Sequence, residues 1–503
     1  MLERKDYILR TIDKAVEGTP GTARDDDSAA KETTQAQMLI TIIESSGVKF
    51  FQSDNGDVYA AIFVNNHAEV WTLNGKNFST WASGVFYKST GIVLRKDTIQ
   101  QAISIFEAKA KFDSPETITL HTRVAGNSVA IWYDLTNPDW QTVKVIADGW
   151  ELVDNSPILF KRHGHQTAQV IPRRNGDVRK ILRHINLAGY KTLFLCWLIS
   201  CFVPGIPHTM AIFHGEKGAA KTTITALTKM LIDPSALDNI TMPKDFNNLI
   251  LALQKHWYLP FDNVSSISTE TSDALCRAIS GSGIQQRKLY TDSDDIVYTF
   301  MRCLAINGIN NVATRPDLLD RSILIELERI AEADRRELSE VLSAFEADRA
   351  DILGGIFNTL SKAMAIYPTV KLGSLPRMAD FTRWGYAIGE ALGGLGQEFL
   401  DQYTHNRKVQ NDEVIASDPV ATLLVDFMRE RESWTGRFVE LFNDLYDLRD
   451  TLGKSIKFKT FPPDPTRLSK WIRGILSNLE AVGLNIEMQT KRDGCHITIV
   501  RKK

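Results

Sequence analysis

Cysteine is scarce in this chain: five residues in 503 (Cys196, Cys201, Cys276, Cys303 and Cys495), odd in number and mostly set inside apolar runs. That usage excludes a disulfide-built extracellular scaffold. It fits buried thiols in a reducing compartment, so a cytoplasmic location is expected. No CxxC pair and no histidine-rich tract has metal-ligand spacing, which argues against a structural zinc site. Long hydrophobic runs are also missing. The greasiest stretch, residues 192–203, is about twelve residues long, short of the roughly 20 that span a bilayer. The opening MLERKDYILR has no apolar segment of the kind a signal peptide needs, and no membrane partner is expected. Nor is one sign of charge in excess, since 59 basic against 61 acidic side chains leave a net charge of −2. A protein basic all over is excluded, and any nucleic-acid contact must be a local patch or a channel.

What is present is ordinary globular material, 43% hydrophobic and 24% charged, enough to bury sizeable cores. At about 150 residues per domain the length suggests about three domains. Residues 1–47 read as an N-terminal helical segment around a polar stretch, 17–35. Residues 48–180 read as an α+β unit. It holds a hairpin over 58–64 and 67–73 with an Asn65-Asn66 turn, and strands at 118–124, 129–134, 142–146 and 150–153. Helices are expected between 77 and 111. A helical pattern resumes over 178–202. Strand and helix signals then alternate to about residue 330, the texture of a parallel α/β sheet with crossover helices, and 331–400 reads all-helical. Residues 401–417 read as a helical linker. Ser417-Asp418-Pro419 opens a last unit, 418–503, of three helices (to Met428, 436–448 and 466–482) and a terminal hairpin. That order is the order of a winged helix. No internal repeat is evident.

The sharpest segment is TMAIFHGEKGAAKTTITALTKML, residues 209–231. An apolar strand feeds the loop Gly215, Glu216, Lys217, Gly218, Ala219 and Ala220, then Lys221, Thr222, Thr223 and a helix. Glycines let successive backbone N–H groups turn toward an anion, and the helix N-terminus adds its dipole. A lysine there bridges the terminal phosphates of ATP, and the following hydroxyl ligates Mg2+. The pattern GxxxxGK[ST] is missed at one position, where Ala220 replaces glycine; if that position needs positive φ, alanine carries a steric cost. Downstream, Asp262 ends the aromatic-apolar strand of HWYLPFDNV, where a carboxylate can hold the Mg2+ water shell. The next position, where a glutamate would polarise the attacking water, is Asn263. Asn307 ends CLAIN as a polar tip on a buried strand, able to sense the γ-phosphate. Arg321 precedes the apolar strand of LLDRSILIEL, where a cation can reach a neighbouring subunit's γ-phosphate; Arg315 competes for that role. Arg377 opens a helix in the all-helical segment, from which it could clamp the nucleotide. Singly, such residues are mostly caps, turns and surface groups. Five in this order on these elements are hard to obtain by accident.

The set GEKGAAKTT, WYLPFDN, LAINGINN, RPDLLDRSILIEL and PRMADFTRWG resembles the AAA+ ATPases of phages and mobile elements. It looks most like the superfamily 3 type of replicative helicase, including poxvirus-type primase-helicases. The resemblance covers about 181–400 and implies an α/β P-loop AAA+ core with a helical lid. It would be preceded by the α+β N-terminal unit and followed by the winged helix. It further implies a homo-oligomeric ring, usually a hexamer, with ATP and Mg2+ at subunit interfaces and DNA in the central channel. By position it assigns the phosphate-loop lysine to Lys221, magnesium ligation to Thr222 and Asp262, a sensor to Asn307, an arginine finger to Arg321 and a second sensor to Arg377. Ala220 and Asn263 depart from the family's pattern, and Asn263 bears directly on hydrolysis.

DNA contacts are expected in two places. The segment 281–302 reads as a hairpin with an acidic TDSDD turn, so Arg287 and Lys288 rather than the tip would grip the backbone. In the last unit Arg467, Lys470 and Arg473 lie on the third helix and Lys491 and Arg492 on the wing, a basic helix plus a basic wing. The cluster Lys161, Arg162, His163, His165, Arg173, Arg174, Arg179 and Lys180 reads equally as a third patch or a solvated linker. The expected activity is ATP hydrolysis driving DNA translocation and unwinding in replication. The alternatives are an ATP-gated DNA-binding initiator or loader with weak hydrolysis, which Asn263 favours, and an ATPase switch in a mobile-element or defence system.

Overall fold

The computed structural model describes residues 34–64, 67–113, 117–287, 295–308, 315–451, 461–491 and 494–502. Helix α1 (Gln35–Ser45) opens with a reciprocal cap between Thr34 and Gln37, which satisfies two of the N–H groups a helix start leaves free. Strands β1 (Lys49–Gln52), β2 (Val58–Val64) and β3 (His67–Thr72) form an antiparallel sheet in chain order. The expected hairpin is the β2–β3 pair, with Val64 opposite His67; its turn lies outside the described residues. Helices α2 (Lys76–Thr90) and α3 (Lys96–Ala108) cover this sheet. Leu39, Ile43, Phe78, Phe86, Ile103 and Phe106 form their common core.

A second antiparallel sheet runs in chain order through β4 (Val124–Gly126), β5 (Ile131–Asp134), β6 (Thr142–Ile146) and β7 (Gly149–Val153). The strand expected over 118–124 does not form, because Arg123 takes a left-handed conformation (φ 64) and turns the chain out of the extended region. Ile131, Tyr133, Val143, Val145 and Trp150 face a core that continues without a break into the residues of the next sheet. The boundary expected near residue 180 therefore runs through a shared core.

That next sheet is parallel and five-stranded. Its strands are β8 (Met210–His214), β9 (Ile240–Thr241), β10 (Tyr258–Asp262), β13 (Cys303–Asn307) and β14 (Ser322–Glu326), in the spatial order β14-β8-β13-β10-β9. Its central strands are apolar at nearly every position, as strands buried on both faces must be. The helices around it are α4 (Lys191–Ser200), α5 (Lys221–Ile232), α6 (Phe246–Lys255), α7 (Thr269–Ser280), the short α8 (Pro316–Leu319), α9 (Leu338–Ile366), α10 (Ala379–Ala391) and α11 (Gly396–Ser417). Between α7 and β13 stands the two-stranded hairpin β11 (Ile284–Arg287) and β12 (Asp295–Tyr298). The helix expected over 178–202 is broken. Residues Val178–Arg183 form a 3-10 turn, Ala188 N–H donates to the Glu326 carbonyl at 3.0 Å, and α4 starts only after Tyr190 at φ 52. The free edge of β14 is closed by side chains of α11. Asn406 pairs with both backbone groups of Leu324, and Gln410 donates to the Ser322 carbonyl, so that edge offers no template for another strand.

The C-terminal unit comprises α12 (Pro419–Met428), β15 (Ser433–Arg437), α13 (Phe438–Thr451), α14 (Pro465–Gly474), α15 (Leu476–Ala481), β16 (Leu484–Lys491) and β17 (Gly494–Arg501). Asp418 caps α12 and Asp464 caps α14, each followed by proline in the first turn, where its missing N–H costs nothing. The sheet order is β15-β17-β16. Strand β15 was not expected from the sequence, and the helix expected over 466–482 is interrupted at Gly474-Ile475. Leu424, Leu441, Leu445, Leu468, Ile472, Ile497 and Ile499 make a core of their own. Among the described residues no helix is long and apolar enough to cross a membrane.

Candidate functional site

Strand β8 is followed by a loop in which Gly215 (φ 148), Gly218 (φ 90) and Ala220 (φ 58) all take positive φ. Such a run turns successive N–H groups to one side, a concavity suited to an anion. Ala220 occupies the N-cap of α5 in the left-handed region and supplies no side-chain cap, so the helix start keeps free donors. The steric cost anticipated for alanine at this position is therefore present; it amounts to roughly 1 kcal/mol. Lys221 Nζ curls over the loop and donates to the carbonyls of Gly215 and Glu216 at 2.8 and 2.9 Å.

Three polar groups meet beside that loop. Thr222 Oγ1 lies 3.0 Å from Asp262 Oδ1, and Asn307 Nδ2 donates to the same carboxylate oxygen at 2.5 Å. Asn307 is 2% exposed and uses its whole amide. Its Oδ1 accepts the Asn263 N–H at 2.7 Å, and Nδ2 also reaches Thr225 Oγ1 at 3.3 Å. The topology explains the meeting. Strand β13 is inserted between β8 and β10, so the carboxyl ends of three adjacent parallel strands deliver the loop, Asn307 and Asp262 side by side. The chain leaves β8 in one direction for β10 and β13 and returns on its other side as β14. Open α/β sheets hold ligands at such a reversal. Asn263 sits at φ 52, a conformation in which asparagine is several-fold enriched.

A buried charge network fixes the elements behind this cluster. Asp233, just past α5, accepts from Arg123 Nε at 3.0 Å and from Lys229 Nζ at 2.8 Å, and both partners are fully buried. Its Oδ2 also accepts the Trp257 N–H at 3.0 Å, while Lys229 Nζ donates to the Tyr258 carbonyl at 2.8 Å. Helix α5, which carries Lys221 and Thr222, is thus tied to strand β10, which carries Asp262. Burial alone would push the Asp233 carboxyl up, but Lys229 and Arg123 outweigh it and hold it far below the usual carboxylate range. The sequence reading missed this layer. Its one signal was a lysine and an aspartate four apart in the otherwise apolar stretch ALTKMLID.

The predicted arginines are elsewhere. The Arg321 carbonyl accepts the Met210 N–H at 3.0 Å, which places Arg321 at the amino end of β8, while the loop leaves the carboxyl end. Across five residues of strand this is a separation of roughly 13 Å or more. Arg321 donates to the Asp317 carbonyl at 2.7 Å. Arg377 pairs with Asp317 and Asp320 at 3.4 and 3.1 Å, and Arg315 lies 3.7 Å from Asp273. The structure brings Arg377 to Asp317 and Asp320, beside Arg321, and brings neither arginine to Lys221 of the same chain.

Of the expected DNA contacts, Arg287 ends β11; Lys288 and Arg492 lie outside the described residues, and Lys491 ends β16. Arg467, Lys470 and Arg473 are exposed along α14, opposite the buried Leu468 and Ile472. The cluster at 161–180 is largely engaged within the chain. Arg162 pairs with Asp134 at 2.6 Å and stacks 3.7 Å over Trp140, Lys180 pairs with Asp351 at 2.5 Å, and Arg174 stacks on Trp150.

Residues 178–407 match the family model described as the actinomycete integrative conjugative element replication protein, and residues 420–503 match the model of the C-terminal domain of that RepA family. Over these two segments the chain is similar to replication proteins of actinomycete conjugative elements. Comparison with curated proteins finds no match. Among solved structures, the apo NrS-1 C-terminal region aligns at 12% identity over 93% of this chain and 100% of that one, with a TM-score of 0.41. The JCV helicase with a bound small molecule aligns at 14% identity over 42% of this chain and 68% of that one, with a TM-score of 0.22.

Proposed function

We propose, taking the similarity to replication proteins of actinomycete conjugative elements as the premise, that this chain is an ATP-dependent DNA helicase or translocase of element replication. The observation that carries the reading is the convergence of Thr222, Asp262 and Asn307 beside a positive-φ loop and an uncapped helix start. On this reading 215–222 is a P-loop. Its backbone N–H groups hold the phosphates and Lys221 leaves its carbonyl partners to bridge them. Thr222 and Asp262 hold Mg2+. An ion bound with a nucleotide takes most of its ligands from water and phosphate, so a hydroxyl and a carboxylate 3.0 Å apart fit it. When bound, Mg2+ would neutralise charge developing on the phosphates. Asn307 orients Asp262 and holds the Asn263 backbone, so that a change at the γ-phosphate reaches both strands.

Arg321 lies at the opposite end of the strands from the loop of its own chain, and on this reading it acts on another subunit's nucleotide. A ring with sites at subunit interfaces satisfies this, and an arginine finger in trans is worth a large factor in rate. Hairpin β11–β12 and the basic face of α14 in a winged-helix unit would then contact DNA. Steady-state ATP hydrolysis with and without single-stranded DNA tests the proposal, with Lys221→Ala as the inactive control. A second reading, an ATP-gated initiator or loader with slow turnover, is favoured by Asn263, whose amide cannot serve as a general base; weak hydrolysis that DNA does not stimulate would select it.

A further inference from the structure

Arg321 lies at the amino ends of the strands, and Arg377 pairs beside it with Asp317 and Asp320. The cations that do approach the loop in the same chain come from the segment after β14. Leu327 N–H donates to the His214 carbonyl at 2.9 Å, and Ile330 N–H donates to the Gly218 carbonyl at 3.3 Å. A side chain at Gly215 would meet the Leu327 carbonyl at 2.5 Å, and one at Gly218 would meet Arg335 Nη2 at 3.4 Å. Arg329 Nη1 lies 3.8 Å from Glu216 Oε2. Residues 327–330 are thus strapped along the end of β8 and the loop by backbone hydrogen bonds, and five residues on the guanidinium of Arg335 comes close to the Gly218 tip. Among the described residues its carboxylate partner is Glu332 at 3.9 Å, an exposed pair that solvent screening makes weak. The guanidinium can therefore exchange that partner for a stronger one.

We propose that Arg335 is a nucleotide contact supplied in cis, binding the phosphate chain held by the 215–222 loop. The inference rests on the reading of that loop as phosphate-binding. A guanidinium offers a planar fork that matches two phosphate oxygens and keeps its charge at every physiological pH. From the tip of the loop it complements Lys221, which approaches from the helix side. Each subunit then closes its own phosphate site with Arg335 and its neighbour's with Arg321.

Calorimetric titration of the full chain with ATP, ADP and AMP in Mg2+ tests this, using wild type, Lys221→Ala, Arg335→Ala and Arg335→Lys. Thermal melts establish that the exposed substitutions leave the fold intact. Arg335→Ala is expected to weaken ATP and ADP about tenfold, the worth of one charge-assisted hydrogen bond. Arg335→Lys should fall between, and AMP should be indifferent to either. Wild-type ATP affinity in Arg335→Ala alongside lost affinity in Lys221→Ala overturns the Arg335 assignment alone. Wild-type affinity in Lys221→Ala overturns the loop reading, and the assignment with it.

Discussion

Asn307 donates its amide N–H to Asp262 Oδ1 at 2.5 Å and accepts the backbone N–H of Asn263 at 2.7 Å. One buried amide therefore fixes both the carboxylate proposed to face magnesium and the turn that follows. Asn307→Leu keeps the volume and removes both bonds. The expected outcome is ATP turnover reduced by at least tenfold with ATP affinity changed much less, and a stability loss of about 1–3 kcal/mol from the unsatisfied buried groups. Turnover and titration measured on the same preparation check it.

The Arg123–Asp233–Lys229 network predicts a large stability effect. Asp233→Ala leaves two cations buried without their carboxylate, and breaking a buried pair in this way costs about 3–5 kcal/mol. Denaturant unfolding should record that loss. Arg123→Met, which removes one cation and leaves Lys229 on Asp233, should cost less.

Acid should destabilise the protein through its buried histidines. Burial first, then Lys161, holds His163 down to about 3, and burial first, then Lys229, holds His256 down to about 2. The folded chain keeps both neutral, whereas the unfolded chain protonates them near pH 6.5. Their contribution is complete above about pH 6.5 and is lost progressively as pH falls, about 1 kcal/mol for each by pH 5.5. Melting temperature measured from pH 7.5 to 5.5 should fall accordingly. His256→Asn should flatten the slope.

How much of this was legible in the sequence differs by element. The loop, Asp262 and Asn307 were readable because each ends an apolar strand, and the local pattern alone places a polar tip there. The hairpins at 58–72 and 484–501 were readable from alternation around short turns. Strand β15, SWTGR, was not, since its pairing with β17 is a contact distant in sequence and the strand itself carries little apolar signal. The broken helix at 184–190 was hidden for the same reason: Leu187 bridges to Leu327, and tertiary pairing overrides local propensity. Arg335 was missed because nothing local in ADRRE distinguishes it from a solvated arginine. Only the backbone bond from Ile330 to Gly218 brings it to the loop. The insertion of β4–β7 into the central core was equally invisible, because Arg123 meets Asp233 across 110 positions of sequence.

The separation of Arg321 from Lys221, at opposite ends of the adjacent strands β14 and β8, gives a complementation test. Neither Lys221→Ala nor Arg321→Ala should hydrolyse ATP appreciably alone. Mixed before assembly, the two should regain a measurable fraction of wild-type turnover, since some interfaces then pair an intact loop with an intact arginine. No recovery at any mixing ratio would mean that Arg321 does not act across a subunit interface.

The most direct test of the central claim is steady-state ATP hydrolysis by the full chain with and without single-stranded DNA, beside Lys221→Ala. The account predicts Mg2+-dependent turnover that rises severalfold on adding DNA and is abolished by Lys221→Ala. Turnover that is absent in the wild type, or that Lys221→Ala retains in full, would contradict it.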